Sequence, residues 1–182
     1  MTRPPHCRRG IPVPAIPSSK GNYILLSNME SPETLFVGGL GRRYFPAGVY
    51  AYAGSAFGPG GLKGRLNRHL NPSTSCRWHL DYLKGRVRLV EIWWSQTPEN
   101  IEHCWVKALM ALPGAAIPVA GFGSSDCRCR SHLVHFGALP TRAAFRRCLA
   151  TLPDDAVQTV ATLRRSLLHT PYRAASLSSN DQ

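Results

Sequence analysis

The chain has 182 residues, of which 22 are Lys or Arg and 10 are Asp or Glu, so its formal charge at neutral pH is +12. Apolar residues make up 43% of it, which is enough for a folded core and excludes a wholly disordered protein. The positive charge favours a polyanionic partner such as nucleic acid. No run of ~18 apolar residues is present and the N-terminus has no apolar stretch after its charges, so we expect a cytoplasmic protein without a membrane partner.

The first half of the chain predicts a basic arm followed by a β-meander. Residues 1–20 are rich in proline, Lys and Arg, a composition that neither pairs into a sheet nor buries a core, and we expect them to be disordered. Strands are predicted at Tyr23 to Leu26, Thr34 to Val37, Arg42 to Phe45 and Val49 to Gly54. The second and third of these form a hairpin that is inserted between the first and the fourth.

A glycine-dense turn then leads from the fourth strand into a predicted helix. Leucines recur every four residues from Leu62 to Leu70 and therefore share one helical face, while Arg65 and His69 lie on a neighbouring stripe. In the strand before the turn, Tyr52 is the tyrosine of interest, and Tyr50 is expected to point to the opposite face. One phenol, one cation and one imidazole can then converge, a grouping that suits attack on a phosphodiester.

The middle of the chain predicts a central strand and a second helix. The run from Arg86 to Trp94 is rich in β-branched and aromatic residues, which is typical of a buried strand. A helix is expected to begin at Thr97, whose side chain can cap the first amides, and Glu102 lies at the edge of its apolar face. The apolar face itself comprises Ile101, Trp105, Ala108 and Leu112. An acid at that edge can point into a cleft.

The sequence around Trp78 allows two interpretations. In a strand, His79 and Asp81 share a face and can act as a base oriented by a carboxylate, whereas in a helix they diverge. The alternative is a polar pair that fixes a core segment.

The C-terminal part predicts a closing strand at His132 to Phe136 and a helical hairpin at 137–173, followed by a disordered tail at 174–182. Each helix of the hairpin has an apolar stripe. These stripes are Ala144, Phe145, Cys148, Leu149 and Leu152 in the first helix, and Val157, Val160, Leu163 and Leu167 in the second. The expected fold class is α+β, with a small mixed or antiparallel sheet at 21–136, flanking helices, the inserted β-hairpin and the C-terminal helical hairpin.

Six cysteines are spread along the chain without the density of a small secreted domain, and we expect them to be thiols. Cys127, Cys129 and His132 lie within six residues, and soft sulfur and nitrogen ligands of this kind suit Zn²⁺. These three residues are a candidate zinc site, and the alternatives are a basic loop with reduced cysteines and a redox role. The fourth ligand is left open among Cys104, His103, Cys76 and His79.

Several short motifs follow one another in a distinctive order: Gly21-Asn22-Tyr23, Tyr52-Ala53-Gly54, Arg65 with His69 on the next helix, and Glu102 on a later one. This order resembles the GIY-YIG nuclease superfamily. The long hairpin between the two tyrosine motifs and the blocks at 78–83 and 121–127 resemble the DUF123 branch of that superfamily more closely. The resemblance covers residues 21–136. Asn22 and Ala53 stand where the superfamily has its central isoleucines.

The resemblance implies a role for each of these residues. In GIY-YIG enzymes a tyrosine activates water, an arginine neutralises the phosphate and a glutamate holds one divalent metal ion. Carried over to this chain, the tyrosine that activates water would be Tyr23 or Tyr52. Arg65 would neutralise the phosphate, with His69 beside it, and Glu102 would hold the metal ion. Mg²⁺ or Mn²⁺ is the implied cofactor, because hard cations prefer carboxylate oxygens.

The implied function is that of a metal-dependent endonuclease that hydrolyses DNA phosphodiester bonds in DNA repair or processing. Nucleic acid, and DNA in particular, is then the main partner, with a DNA-repair protein as a second one. The alternatives are a catalytically inactive nucleic-acid-binding module or repair accessory protein, and a helix-turn-helix regulator built on the C-terminal hairpin. Binding of DNA through a basic face predicts a steep dependence on salt.

Overall fold

The computed structural model describes residues 16–70 and 76–151 and the backbone of 161–164. The strands of these residues are β1 (Gly21–Met29), β2 (Glu33–Phe36), β3 (Arg42–Phe45), β4 (Gly48–Ser55), β5 (Arg88–Gln96), β6 (Leu133–Phe136) and β7 (Ala161–Arg164). The α-helices are α1 (Gly61–Leu70), α2 (Glu102–Met110) and α3 (Arg142–Ala150), and short 3₁₀ helices lie at Gly38–Leu40 and His79–Leu83. None of the helices in these ranges has the length and apolar character needed to cross a bilayer.

A five-stranded antiparallel sheet in the order β6-β4-β1-β5-β7 forms the centre of the fold. β2 and β3 pair with each other in a separate two-stranded sheet. The expected α+β class, with an antiparallel sheet and an inserted β-hairpin, is therefore confirmed. β1 is flanked by β4 and β5, so the two strands that carry the tyrosine motifs are direct neighbours.

Both faces of the sheet are covered, which follows from the alternation of side chains along β1. Ile24 and Leu26 are fully buried in a cluster that includes side chains of α2 and α3. Tyr23 and Leu25 point the other way, into a cluster that includes Leu62 and other side chains of α1. Helix α1 and the pair α2 and α3 thus lie on opposite sides of the sheet.

The two tyrosines of β4 share one face, so the expectation that Tyr50 points away from Tyr52 was wrong. Residues two apart in a strand point to the same side, and both tyrosines contact the cluster of apolar side chains that lies beneath the β2–β3 hairpin. They differ in environment instead. The Tyr50 hydroxyl donates a hydrogen bond to the carbonyl of Pro46, inside the core, whereas Tyr52 is only partly buried.

Helix α2 begins at Glu102, and its cap position is Ile101, four residues after the predicted cap Thr97. The Thr97 hydroxyl accepts a hydrogen bond from the backbone N–H of Glu99 at 3.2 Å and so closes a turn instead of capping a helix. The Asn100 side chain accepts from the N–H of Glu102, also at 3.2 Å. The predicted apolar face is confirmed, since Ile101, Trp105, Ala108 and Leu112 are all buried.

The first helix of the predicted C-terminal hairpin is confirmed. It is α3, where the Thr141 hydroxyl caps the N–H of Ala144 at 3.2 Å and Phe145 and Leu149 are buried. The prediction of a second helix was wrong for Ala161–Arg164, because these residues form β7, which pairs with β5. An added strand satisfies the backbone groups that an edge strand leaves unpaired. The rest of that helix, Leu152, residues 1–15 of the predicted arm and the tail at 174–182 lie outside the described residues. For residues 16–20 the expectation of disorder was wrong, because the carbonyls of Pro17 and Ser19 accept hydrogen bonds from the N–H groups of Lys63 and Leu62, both at 2.9 Å.

Candidate functional site

A cleft of about 340 Å³ opens beside β1 and β4, under the C-terminal half of α1 and the N-terminus of α2. The five residues that the GIY-YIG resemblance singled out all line it: Tyr23, Tyr52, Arg65, His69 and Glu102. They come from four different elements and from positions up to 79 residues apart in the chain. The structure therefore brings these residues together in one place.

The register of β1 and β4 positions the two tyrosines. Tyr23 pairs with Gly54 and Leu25 pairs with Tyr52, so the tyrosines are diagonal neighbours on the face that α1 covers. His69, in the last turn of α1, lies over both of them. Its Nε2 atom is 2.8 Å from the Tyr23 hydroxyl, and its ring centroid is 6.3 Å from that of Tyr52. Strand pairing and one helix thus assemble a Tyr–His–Tyr cluster.

Gly54 is required beside Tyr23 because a Cβ atom there would lie only 2.5 Å from the Tyr23 hydroxyl oxygen. We expect Gly54→Ala to displace that ring and to lower the free energy of unfolding by about 1–3 kcal/mol, as overpacking does in other cores. Urea-induced unfolding measures this loss. The matched control is Gly58→Ala, because no atom lies within 4 Å of a Cβ at Gly58. Equal losses for the two variants would contradict the close approach of Tyr23.

Burial governs the protonation of the cluster. It raises the pKa of Tyr23 and of Tyr52 well above the ordinary value, and the nearby Glu102 carboxylate raises the pKa of Tyr52 further. The Arg65 guanidinium opposes both shifts. Burial, Lys84 and Arg65 together lower the pKa of His69 to about 3. At neutral pH the cluster therefore consists of two neutral phenols and a neutral imidazole, and neither phenol is a base without added positive charge.

The low pKa of His69 predicts a loss of stability in mild acid. The unfolded chain binds a proton at His69 near pH 6.5, whereas the folded chain does so only near pH 3, so the contribution of His69 is complete above pH 6.5 and decreases as the pH falls. Between pH 7 and pH 5 this amounts to about 2 kcal/mol. Urea unfolding of wild type and His69→Gln at both values measures it. The same pH dependence in both proteins would contradict a buried neutral His69.

Arg65 is held at the wall of the cleft by an aromatic ring. Its guanidinium carbon lies 4.3 Å from the centroid of the Trp78 ring, and that of Arg68 lies 4.2 Å from the same centroid. Arg68 also contacts Asp81, with Nη2 3.2 Å from Oδ2. Stacking on Trp78 limits the rotamers of Arg65 and leaves its donors able to bind an anion in the cleft.

His79 and Asp81 do not form a base and its orienting carboxylate. They lie in the 3₁₀ helix at His79–Leu83, where neighbouring side chains diverge. His79 Nδ1 accepts a hydrogen bond from the N–H of Gly123 at 2.9 Å, and Asp81 contacts Arg68 and Lys84. Asp81 also accepts two backbone N–H groups of its own segment. Both residues fix the structure around the cleft.

Glu102 lies at the opposite wall and is ionised at neutral pH. Burial by itself raises the pKa of its carboxyl group, but hydrogen bonds with His132 and Ser55 outweigh burial and lower it. Glu102 Oε1 lies 2.5 Å from His132 Nδ1. Asp126 lines the same cleft, so two carboxylates are available to a hard cation there. Carboxylate oxygens are the ligands that a divalent ion such as Mg²⁺ or Mn²⁺ prefers, so the chemistry of these two side chains is compatible with such an ion.

A second group of metal-ligating side chains lies on the far side of Glu102. His103, Cys127, Cys129 and His132 have their ligand atoms within 4.8 Å of one another. Four residues were candidates for the fourth ligand beside Cys127, Cys129 and His132. The structure places one of them, His103, next to these three. The other three lie elsewhere: Cys104 packs against the core, His79 binds Gly123 and Cys76 is exposed. Burial, and then Cys127, raises the pKa of the Cys129 thiol to about 11.

The chain was compared with protein families, with curated proteins and with solved structures. The model of a family described as a domain of unknown function, DUF123, matches residues 22–153, which is well over half of the chain. The chain belongs to the DUF123 family. No curated protein and no solved structure matches it. The matched range of this DUF123 domain extends from β1 to the end of α3 and includes every cleft residue named above.

Two cleft residues of the DUF123 domain had no assigned role in the sequence analysis. Trp78 and Asp126 both lie in blocks that carried the DUF123 resemblance, at 78–83 and 121–127. A Trp before a 3₁₀ helix and an Asp in a polar loop are common, so the sequence alone did not single them out. Their contribution is visible only once β4, α1 and the loop at 121–132 are packed together.

Proposed function

We propose that this DUF123 domain is a metal-dependent endonuclease of the GIY-YIG superfamily that hydrolyses phosphodiester bonds of DNA. The observation that carries the proposal is the convergence of Tyr23, Tyr52, Arg65, His69 and Glu102 in one cleft. Phosphodiester hydrolysis needs an activated water, a cation for the phosphate and stabilisation of the leaving oxygen. The cleft offers a group for each, and the formal charge of +12 favours a polyanionic substrate.

Arg65 is the phosphate ligand in this proposal. Its planar guanidinium can donate two hydrogen bonds to two phosphate oxygens. Trp78 stacks on it and orients it towards the cleft. Negative charge that develops on the phosphate during attack is thereby met by a cation that is already in place.

The two tyrosines have different roles because they differ in exposure. Only 2% of the Tyr23 surface is accessible, and its hydroxyl is hydrogen-bonded with His69. Tyr52 is partly exposed to the cleft and is the phenol that can contact an attacking water. Tyr52 thus positions the water, while the pair of Tyr23 and His69 fixes the geometry behind it. To act as a base, Tyr52 must first release its own proton to solvent, which positive charge beside it would favour, and the phenolate then accepts a proton from the water.

The carboxylates of Glu102 and Asp126 would hold the divalent cation. Such a cation lowers the pKa of bound water and neutralises charge on the leaving oxygen. Glu102 is suited to this role because its hydrogen bond with His132 fixes the carboxylate and because it is ionised at neutral pH.

DNA cleavage by the purified full chain tests the proposal. Single-stranded, duplex and branched DNA are incubated in Mg²⁺, in Mn²⁺ and in EDTA with wild type and with Tyr52→Phe, Arg65→Ala and Glu102→Ala. We expect metal-dependent cleavage that EDTA abolishes and that each substitution lowers by at least tenfold. Cleavage that none of the three substitutions alters would refute the assignment of the site.

A nucleic-acid-binding module without turnover is the second candidate, and the β2–β3 hairpin favours it. Phe36 and Tyr44 are 63% and 59% exposed. The register pairs Thr34 with Tyr44 and Phe36 with Arg42, so two aromatic rings and a cation share one exposed face. Such a face suits stacking of unpaired bases. Binding of single-stranded DNA without cleavage in the assay above would favour this candidate.

A further inference from the structure

We propose that His103, Cys127, Cys129 and His132 form a structural Zn²⁺ site that ties the loop at 121–132 to the first turn of α2. The site is distinct from the divalent-cation site of the cleft, and its existence does not depend on the proposed nuclease function. Two thiolates and two imidazoles are the ligand types that Zn²⁺ prefers. Because all four positions of a tetrahedron are taken by protein ligands, the site is closed and structural.

The distances between the ligand atoms match a tetrahedral zinc site. Zn–S and Zn–N bonds of about 2.3 and 2.0 Å place neighbouring ligand atoms about 3.5 Å apart. Cys127 Sγ lies 3.3 Å from His132 Nε2, and Cys129 Sγ lies 3.1 Å from His103 Nδ1. All four atoms lie within 4.8 Å of one another. Small shifts of exposed or partly buried side chains are enough to complete the tetrahedron.

The backbone of the loop presents three of the ligands together. The N–H of Gly121 donates to the carbonyl of Arg130, and the N–H of His132 donates to the carbonyl of Phe122, both at 2.8 Å. These two bonds close the loop at its base, and Gly121 takes a φ of 78°, which favours glycine. The fourth ligand, His103, is the second residue of α2. A metal ion here would link two elements that are joined by more than 20 residues of chain.

His132 connects the zinc ligands to the cleft. Its Nε2 faces the Cys127 sulfur, while its Nδ1 lies 2.5 Å from Glu102 Oε1. A metal-bound histidine typically donates its other ring N–H to a carboxylate, which fixes the tautomer and the orientation of the ring. His132 is 2% exposed, so its ring has no room to turn. Zinc on Nε2 would therefore fix a proton on Nδ1 and hold Glu102 at the wall of the cleft.

The metal content of the purified full chain tests this site. The protein is purified in reducing buffer without added metal or chelator, incubated with ZnCl₂, freed of excess zinc and analysed by mass spectrometry for bound metal. We expect the wild type to bind about one Zn²⁺ per chain. The zinc content of Cys127→Ser/Cys129→Ser should be at least tenfold lower. The matched control is Cys76→Ser/Cys148→Ser, which removes two described cysteines outside the cluster and should retain the zinc.

Two further measurements keep the test decisive if the double variant does not fold. His103→Asn changes one exposed ligand and should lower the affinity for zinc by at least tenfold while the chain remains folded. Co²⁺ in place of Zn²⁺ should show the visible absorption of a tetrahedral thiolate site. A folded wild type that takes up no zinc, or cysteine variants that bind as much zinc as wild type, would overturn the proposal. Zinc binding without DNA cleavage would support the zinc site and would refute only the nuclease proposal.

Discussion

Arg65→Ala is expected to lower the single-turnover rate of DNA cleavage by about 10²–10³-fold without lowering the melting temperature by more than a few degrees. The magnitude is typical of the loss of one preorganised donor to a charge that develops in the transition state. Arg65 lines the cleft and stacks on Trp78, and it is not among the buried residues of the core, so we expect the fold to tolerate its loss. Labelled duplex DNA in excess enzyme with Mg²⁺ gives the rate directly.

The control for Arg65 is Lys63→Ala on the same helix. Lys63 is exposed and does not line the cleft, so this variant loses the same unit of charge without losing a phosphate ligand. We expect Lys63→Ala to weaken DNA binding slightly at low salt and to cleave at the wild-type rate once DNA is saturated. Equal losses of rate in the two variants would mean that Arg65 acts through net charge alone.

Tyr23→Phe and His69→Gln are each expected to lower the cleavage rate by about 10²-fold, and the double variant to lower it no further. The reason is that Tyr23 and His69 act through one hydrogen bond of 2.8 Å, which either substitution removes. A double-mutant cycle of single-turnover rates measures this coupling. Multiplicative losses in the double variant would show that the two side chains act independently.

Tyr50→Phe is the matched control for the loss of a tyrosine hydroxyl. Tyr50 lies on the same strand face as Tyr52, but its hydroxyl bonds with Pro46 in the core instead of lining the cleft. The variant should lose about 1 kcal/mol of stability and keep the wild-type cleavage rate. A loss of rate comparable to that of Tyr23→Phe would point to an indirect effect on folding.

The sequence predicted those parts of the molecule that depend on local patterns and on strand neighbours. The strand, the glycine turn and the leucines of α1 were sufficient to predict that Tyr52, Arg65 and His69 converge. Tyr23 and Glu102 were placed with them only by the resemblance to the GIY-YIG superfamily. The start of α2 was missed because Thr97 is a good capping residue by type, whereas its hydroxyl closes a turn and the helix begins after Ile101, which makes no side-chain capping bond. β7 was missed because a short apolar stripe fits a helix as well as a strand that covers the edge of β5.

The contacts that complete the site could not be predicted in the same way, because they join distant segments. The approach of His103 to Cys129 depends on how α2 meets the loop at 121–132, and the contact of Glu102 with His132 depends on the same packing. The positions of cysteines and histidines in the sequence left four candidates for the fourth zinc ligand and did not select among them. The stacking of Arg65 on Trp78 likewise follows from the position of the 3₁₀ helix beside α1.

The most direct test of the central claim is cleavage of single-stranded, duplex and branched DNA by the folded wild-type chain in Mg²⁺, with EDTA and with Tyr52→Phe as controls. The proposed site predicts cleavage in Mg²⁺ or Mn²⁺, none in EDTA, and a rate at least tenfold lower for Tyr52→Phe at an unchanged melting temperature. A folded wild type that binds these DNAs and cleaves none of them in either metal would contradict it.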